Sequence, residues 1–288
     1  MKNFEIFLSL TRLNKPIGFM LLFWPCLWGL TIAHDFSENN SIFFKFSFLF
    51  FLGAILMRSA GCVVNDVLDR KIDLMVERTK NRPVASGQIS VKKALMLSAI
   101  LCLSAFFILI QFNQKTIILG LASMPFAFSY PLMKRFTYWP QLFLGVTFNY
   151  GLIMAWVSLN DNLSYYPIVF YLGAIFWTLG YDTIYGFQDI KDDEIIGVKS
   201  TSIKFKKNPK IFIFSCYFFF YLSLILVGLL MAFSKFYFIF SLILLLQLFF
   251  FQVYSLNVDK PEDCIKRFKS NNILGFLVFI NILIGKIL

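Results

Sequence analysis

The chain has 288 residues, 58% of them hydrophobic and only 15% charged, with a net charge of +11. Soluble domains spend about a quarter of their residues on charge, so the composition excludes an ordinary soluble enzyme. One histidine and five cysteines without paired spacing argue against a Cys-based zinc centre or a disulfide framework.

Apolar runs of the ~17–25 residues that a bilayer core demands predict an all-α polytopic membrane protein. We read one domain over residues 1–288, with about nine transmembrane helices around a central cavity that opens to the cytoplasmic side. In chain order the spans are expected at 16–33, 42–65, 94–110, 116–132, 138–158, 164–187, 211–231, 236–254 and 271–287, the last among the shortest. The first holds Trp24-Pro25 and is followed by no clean small-residue cleavage site, so it reads as a retained helix and not a signal peptide. His34, at its exit, is expected to be solvated. Most of the 27 Lys and Arg fall before the first span or in alternate connections, chiefly 66–93 and 188–210. The positive-inside rule puts the N-terminus and these loops on the cytoplasmic side. Topology and anionic lipid then account for the positive charge, and no nucleic-acid partner is needed.

Nine of the 16 acidic residues crowd into two short segments at the ends of apolar runs. One holds Asn65, Asp66, Asp69 and Asp73; the other holds Asp182, Asp189 and Asp193. Carboxylates beside hydrocarbon are costly and call for cations or a function. On continuous helices at 100° per residue, the first set spans about 100° of one face and the second about 20°. Asp192 and Glu194 point elsewhere. Carboxylate and amide oxygens are hard donors suited to Mg²⁺, which commonly shares its shell with a substrate phosphate. The pattern therefore predicts two facing sites with a diphosphate bridging their magnesium ions. Arg58, Arg78, Lys80, Arg82 and Lys199 supply positive charge for the remaining phosphate oxygens. A cation transporter is the alternative from another class, although such proteins place their acids nearer the midplane.

The segment Asn65-Asp66-Val67-Leu68-Asp69-Arg70-Lys71-Ile72-Asp73 is an N-D-x-x-D-x-x-x-D signature, and Asp182, Asp189 and Asp193 form its D-x6-D-x3-D partner. Together they resemble the UbiA superfamily of intramembrane aromatic prenyltransferases. Further stretches resemble the branch that acts on 4-hydroxybenzoate: Arg12 to Gly18, Arg58 to Cys62, Arg78 to Pro83, Tyr130 to Arg135 and Gly197 to Thr201. The match runs over about 12–205; Asn14 and Ser59 depart from the commoner Asp and Gly. The resemblance implies Mg²⁺-dependent transfer of a polyprenyl group to the carbon ortho to the hydroxyl of 4-hydroxybenzoate in ubiquinone synthesis. Its setting would be a bacterial or mitochondrial inner membrane. It also implies roles. Asn65, Asp69, Asp189 and Asp193 hold metal, with Asp66, Asp73 and Asp182 completing or supporting the shells, and Asp69, Asp73, Asp189 and Asp193 are the catalytic acids. Lys134, Arg135 and Tyr130 are candidates for the ring acid, and Tyr130, Tyr181, Tyr185 and Trp24 for facing an allylic cation. Other acceptors within the superfamily (homogentisate, a naphthoate or haem) remain open. Beyond residue 211 the chain is Phe-, Ile- and Leu-rich without a signature.

Overall fold

Backbone N–H and C=O groups find no partner in hydrocarbon, so a spanning segment must satisfy them internally as a helix. Helices are what the chain forms. The computed structural model describes residues 2–288, with side chains from residue 4 onward, and contains no strand among them. The helices are α1 (Lys2–Thr11), α2 (Ile17–Ala33), α3 (Ser41–Leu68), the short α4 (Arg70–Asp73), α5 (Val91–Leu109) and α6 (Gln114–Ser129). A 3₁₀ turn leads into α7 (Met133–Phe136), followed by α8 (Pro140–Asn160), α9 (Tyr165–Gly186), a second 3₁₀ turn and α10 (Ile190–Ile196). The chain ends with α11 (Thr201–Lys204), α12 (Pro209–Leu230), α13 (Lys235–Leu245), a π-helical turn (Leu246–Tyr254) and α14 (Pro261–Ile287).

Eight segments among the described residues are long and apolar enough to cross a membrane, and α2 is a shorter apolar helix of 17 residues. The last helix corrects the expectation for 271–287. It is 27 residues long, because Pro261 occupies its first turn with Glu262 and Asp263, residues that favour a helix N-terminus. Its polar first half hid it from hydropathy.

The core forms where α2, α8, α9, α12 and α14 meet. Trp28 stacks on Phe170 at 5.4 Å and meets Trp177 at 4.9 Å, while Trp177 stacks on Phe220 at 5.8 Å. Each buried indole needs an acceptor for its N–H. Helix α14 supplies them: Trp177 donates to Asn271 Oδ1 at 2.8 Å, Trp28 to the Gly275 carbonyl at 2.9 Å and Trp24 to Asn272 Oδ1 at 2.9 Å. The region without a recognisable signature thus anchors α2 and α9, the helices that flank the acidic clusters. His34 also departs from expectation, being 5% exposed with Nε2 2.9 Å from Asn40 Oδ1.

Replacing Asn271 with Leu strands the Trp177 N–H in the core. Thermal unfolding of detergent-solubilised protein should show a loss of about 1–3 kcal/mol; an unchanged transition would mean that the indole bond contributes nothing.

Candidate active site

Both acidic clusters sit where long helices stop. Helix α3 ends at Leu68, Asp69 caps it, and α4 starts afresh at Arg70. Helix α9 ends at Gly186, a 3₁₀ turn carries Phe187–Asp189, and α10 begins at Ile190. The single-helix projection of each cluster is therefore corrected: the turns reset the register, and Asp73 and Asp193 sit on short helices of their own, Asp193 on the cavity wall and Asp73 behind it.

Burial compels the clusters to find cations. Asp66, 1% exposed, takes both oxygens to Arg12 Nη2 at 2.8 and 2.9 Å and also meets Arg82 at 3.2 Å. Arg82 continues to Asp73 at 2.9 and 3.0 Å. Lys134 lies 2.5 Å from Asp69 Oδ2, and Arg135 donates to the Leu68 carbonyl, 3.7 Å from Asp69 Oδ1. Burial raises the Asp69 carboxyl above the ordinary range, against the pull of the Lys134 ammonium. Arg78 crosses between the clusters, donating Nε to Asp189 at 3.0 Å and Nη2 at 2.5 Å.

These groups line a cavity of about 550 Å³. Its wall carries seven cationic side chains (Arg12, Lys15, Arg58, Arg78, Arg82, Lys134, Lys199) against five acids (Asp66, Asp69, Asp182, Asp189, Asp193), with Asn65 beside them. The surplus of positive charge favours an anionic ligand. A second, largely apolar cavity of about 270 Å³ lies among α2, α3, α5, α6 and α8. Arg58, Tyr130 and Phe148 line both, forming the neck between them. Arg58 is seven residues below Asn65 on α3, about 10 Å down the axis. Its guanidinium lies over the Phe148 ring at 5.2 Å and its buried Nε has no hydrogen-bond partner among the described residues. Gly18 makes room for it, since a Cβ there would stand 2.8 Å from Arg58 Nε.

Not every expected residue reaches the cavity. Lys80 pairs with Glu77 at the surface. Arg135 and Asp73 stand behind the wall, and Trp24 faces α14. Tyr130, Tyr181, Tyr185 and Lys199 line it; Asp192 does not, and Glu194 pairs with Lys206 outside. Sequence reasoning missed Arg12, whose left-handed backbone (φ 59°) is uncommon for a side-chain-bearing residue and concentrates at functional positions. It also missed Gln141.

The donor chemistry fits magnesium. The acid set offers oxygen only, and Asp69 Oδ1 is buried without a hydrogen-bond partner among the described residues. No three acid, His or Cys side chains there draw close enough to enclose an ion.

A bundle of spanning helices with two acid-bearing helix ends over one basic cavity defines an integral membrane enzyme of the diphosphate-handling kind. The UbiA prenyltransferase family matches residues 22–282, and the chain belongs to that family. It is 41% identical over 287 residues to the mitochondrial 4-hydroxybenzoate polyprenyltransferase of Caenorhabditis elegans, covering 99% of this chain and 80% of that one. It is 38% identical over 287 residues to the 4-hydroxybenzoate octaprenyltransferase of Nitrosomonas eutropha, covering 100% and 99%. The solved structure of a UbiA homolog from Archaeoglobus fulgidus bound to GPP and Mg²⁺ superposes with a TM-score of 0.70 over 98% of this chain and all of that one, at 16% identity; the likeness establishes the fold.

Arg82→Ala removes the cation shared by Asp66 and Asp73, which opens the 74–90 loop. Proteolysis there should accelerate ~10-fold or more, equivalent to ~1.4 kcal/mol. An unaltered cleavage rate would show that Arg82 does not hold the loop.

Proposed function

We propose that the chain transfers a polyprenyl group from its diphosphate to the carbon ortho to the hydroxyl of 4-hydroxybenzoate, releasing diphosphate, in ubiquinone synthesis. The observation that carries this reading is the pair of adjoining cavities that share Arg58, Tyr130 and Phe148, one lined by acids and bases and the other largely apolar. That layout suits a substrate with a diphosphate head and a hydrocarbon tail. Relatives named for this activity at about 40% identity support the acceptor. The acids stand at helix ends, not mid-span, which speaks against an ion pathway.

Asn65, Asp69, Asp189 and Asp193 would hold Mg²⁺, with Asp66, Asp73 and Asp182 in support. When bound, the metal supplies positive charge that offsets the charge developing on the departing diphosphate. Arg78, Arg82 and Lys199 add hydrogen-bond donors to the same phosphate oxygens. Lys134 serves the acid end through Asp69, while Arg58, farther down and free at Nε, is suited to the acceptor's carboxylate. A diphosphate role for Arg58, as expected from the sequence, stands beside this one, since Arg58 lines the same cavity as Asp182. The C1–O bond breaks with its electron pair leaving on the diphosphate; the ring carbon's electrons form the new C–C bond, and the ring then gives up its proton. Tyr130, Tyr181 and Tyr185 line the polar cavity, where aromatic π density favours a developing allylic cation. The chamber keeps the tail out of water at about 0.8 kcal/mol per buried CH₂. The basic loops give the acid end a cytoplasmic or matrix orientation.

The test uses purified protein in liposomes with 4-hydroxybenzoate, a polyprenyl diphosphate and Mg²⁺. Prenylated acid should form, chelation should abolish turnover, and added Mg²⁺ should restore it. Asp69→Ala and Asp189→Ala should each lower turnover ~10²-fold or more. Activity on a different acceptor alone would overturn the substrate assignment, and diphosphate release that survives both substitutions would overturn the metal assignment.

A further inference from the structure

Gln141 sits in the first turn of α8 and is 6% exposed, yet it lines the polar cavity. Its Oε1 accepts the backbone N–H of Thr201 at 3.0 Å. A backbone N–H can only donate, so this bond fixes which end of the carboxamide is oxygen. The amide NH₂ is thereby turned the other way, and no acceptor meets it among the described residues. Gly186 lies beside it: a Cβ there would reach ordinary contact with Gln141 Nε2 at 3.7 Å, and the close neighbour that demands glycine is Ser202. The anchor itself is held: Thr201 Oγ1 is 2.6 Å from Thr183 Oγ1, and Ser202 Oγ donates to the Thr183 carbonyl at 2.8 Å. The NH₂ stands on the wall of the polar cavity with no acceptor among the described residues, a donor open to an acceptor on a ligand.

The same face of α8 tells which acceptor. Gln141, Leu144 and Phe148 all line the cavity, and Phe148 carries the Arg58 guanidinium on its ring. Seven residues separate Gln141 from Phe148, about 10 Å along the axis. A para-substituted benzoate spans about 6–7 Å between its terminal oxygens, and a hydrogen bond adds ~3 Å at each end. The ~12–13 Å this requires exceeds the ~10 Å backbone rise by less than the reach of the two side chains, so a ring lying over Leu144 is of a length to meet both.

We infer that Gln141 binds the hydroxyl oxygen of the aromatic acceptor, with the carboxylate at Arg58, and so selects a para-hydroxylated acid. The inference rests on the acceptor reading above. This orientation points the hydroxyl, and the carbon beside it, toward the diphosphate end, while the carboxylate stays at the neck. It also separates two demands on one pocket: Arg58 recognises any benzoate, and Gln141 distinguishes those with an oxygen opposite.

The test is Gln141→Glu in the full chain in liposomes. Glutamate keeps the oxygen that accepts from Thr201 and replaces the NH₂ with a second acceptor. The KM for 4-hydroxybenzoate should rise about tenfold or more, with the KM for polyprenyl diphosphate unchanged. In a binding arm with a non-cleavable prenyl diphosphate analogue, thermal shifts should show the wild type preferring 4-hydroxybenzoate to benzoate and the variant treating them alike. An unchanged KM, equal losses for both substrates or a retained preference would overturn the inference. A wild-type protein that turns over no 4-hydroxybenzoate would instead overturn the acceptor reading on which it rests.

Discussion

A carboxylate at the edge of a bilayer must be met by positive charge, and the chain packs several such carboxylates into one cleft. The Arg12–Asp66–Arg82–Asp73 chain, the Lys134–Asp69 pair and the Arg78–Asp189 bridge hold those acids in a wall that would otherwise repel itself. The bridges also organise the fold. Arg12 ties the segment after α1 to α3, Arg82 folds the 74–90 loop back over α3, and Arg78 links that loop to the turn after α9. Charge neutralisation and the assembly of two distant chain segments are the same set of contacts.

Such pairs are easily exchanged. A guanidinium that donates to a carboxylate can donate equally well to a phosphate oxygen, so the cations that stabilise the acids are also those suited to a diphosphate. Deeper in the protein the wall changes character within one helix: α3 passes from Asp66 through Arg58 to the small and apolar residues of the chamber, such as Gly53 and Ala54. The polarity gradient of the substrate is thereby matched along a single axis.

The clusters were legible in the sequence because acids at the ends of apolar runs are rare enough to need a reason. The helix breaks were not. Asp69 carries no glycine or proline signal, so α3 read as continuous through Asp73, and the stop became visible only with the cap geometry. Arg12 looked like an ordinary positive-inside residue until its pairing with a buried acid 54 positions away was seen. Gln141 could not have been found, since the direction of its amide depends on Thr201, 60 residues on. Lys80 illustrates the opposite error: a cation in the right loop turned outward to Glu77. Only the second half of α14 was foreseen, because residues 261–270 are polar and carry no apolar signal.

The central claim is that both acidic clusters act together on one metal-bridged diphosphate. Electron paramagnetic resonance with Mn²⁺ in place of Mg²⁺, titrated with and without inorganic pyrophosphate, tests it directly. Two Mn²⁺ per chain should bind, their spins coupling when pyrophosphate is present, with binding lost in both Asp69→Ala and Asp189→Ala. Binding that ignores pyrophosphate, or that survives removal of either aspartate, would contradict it.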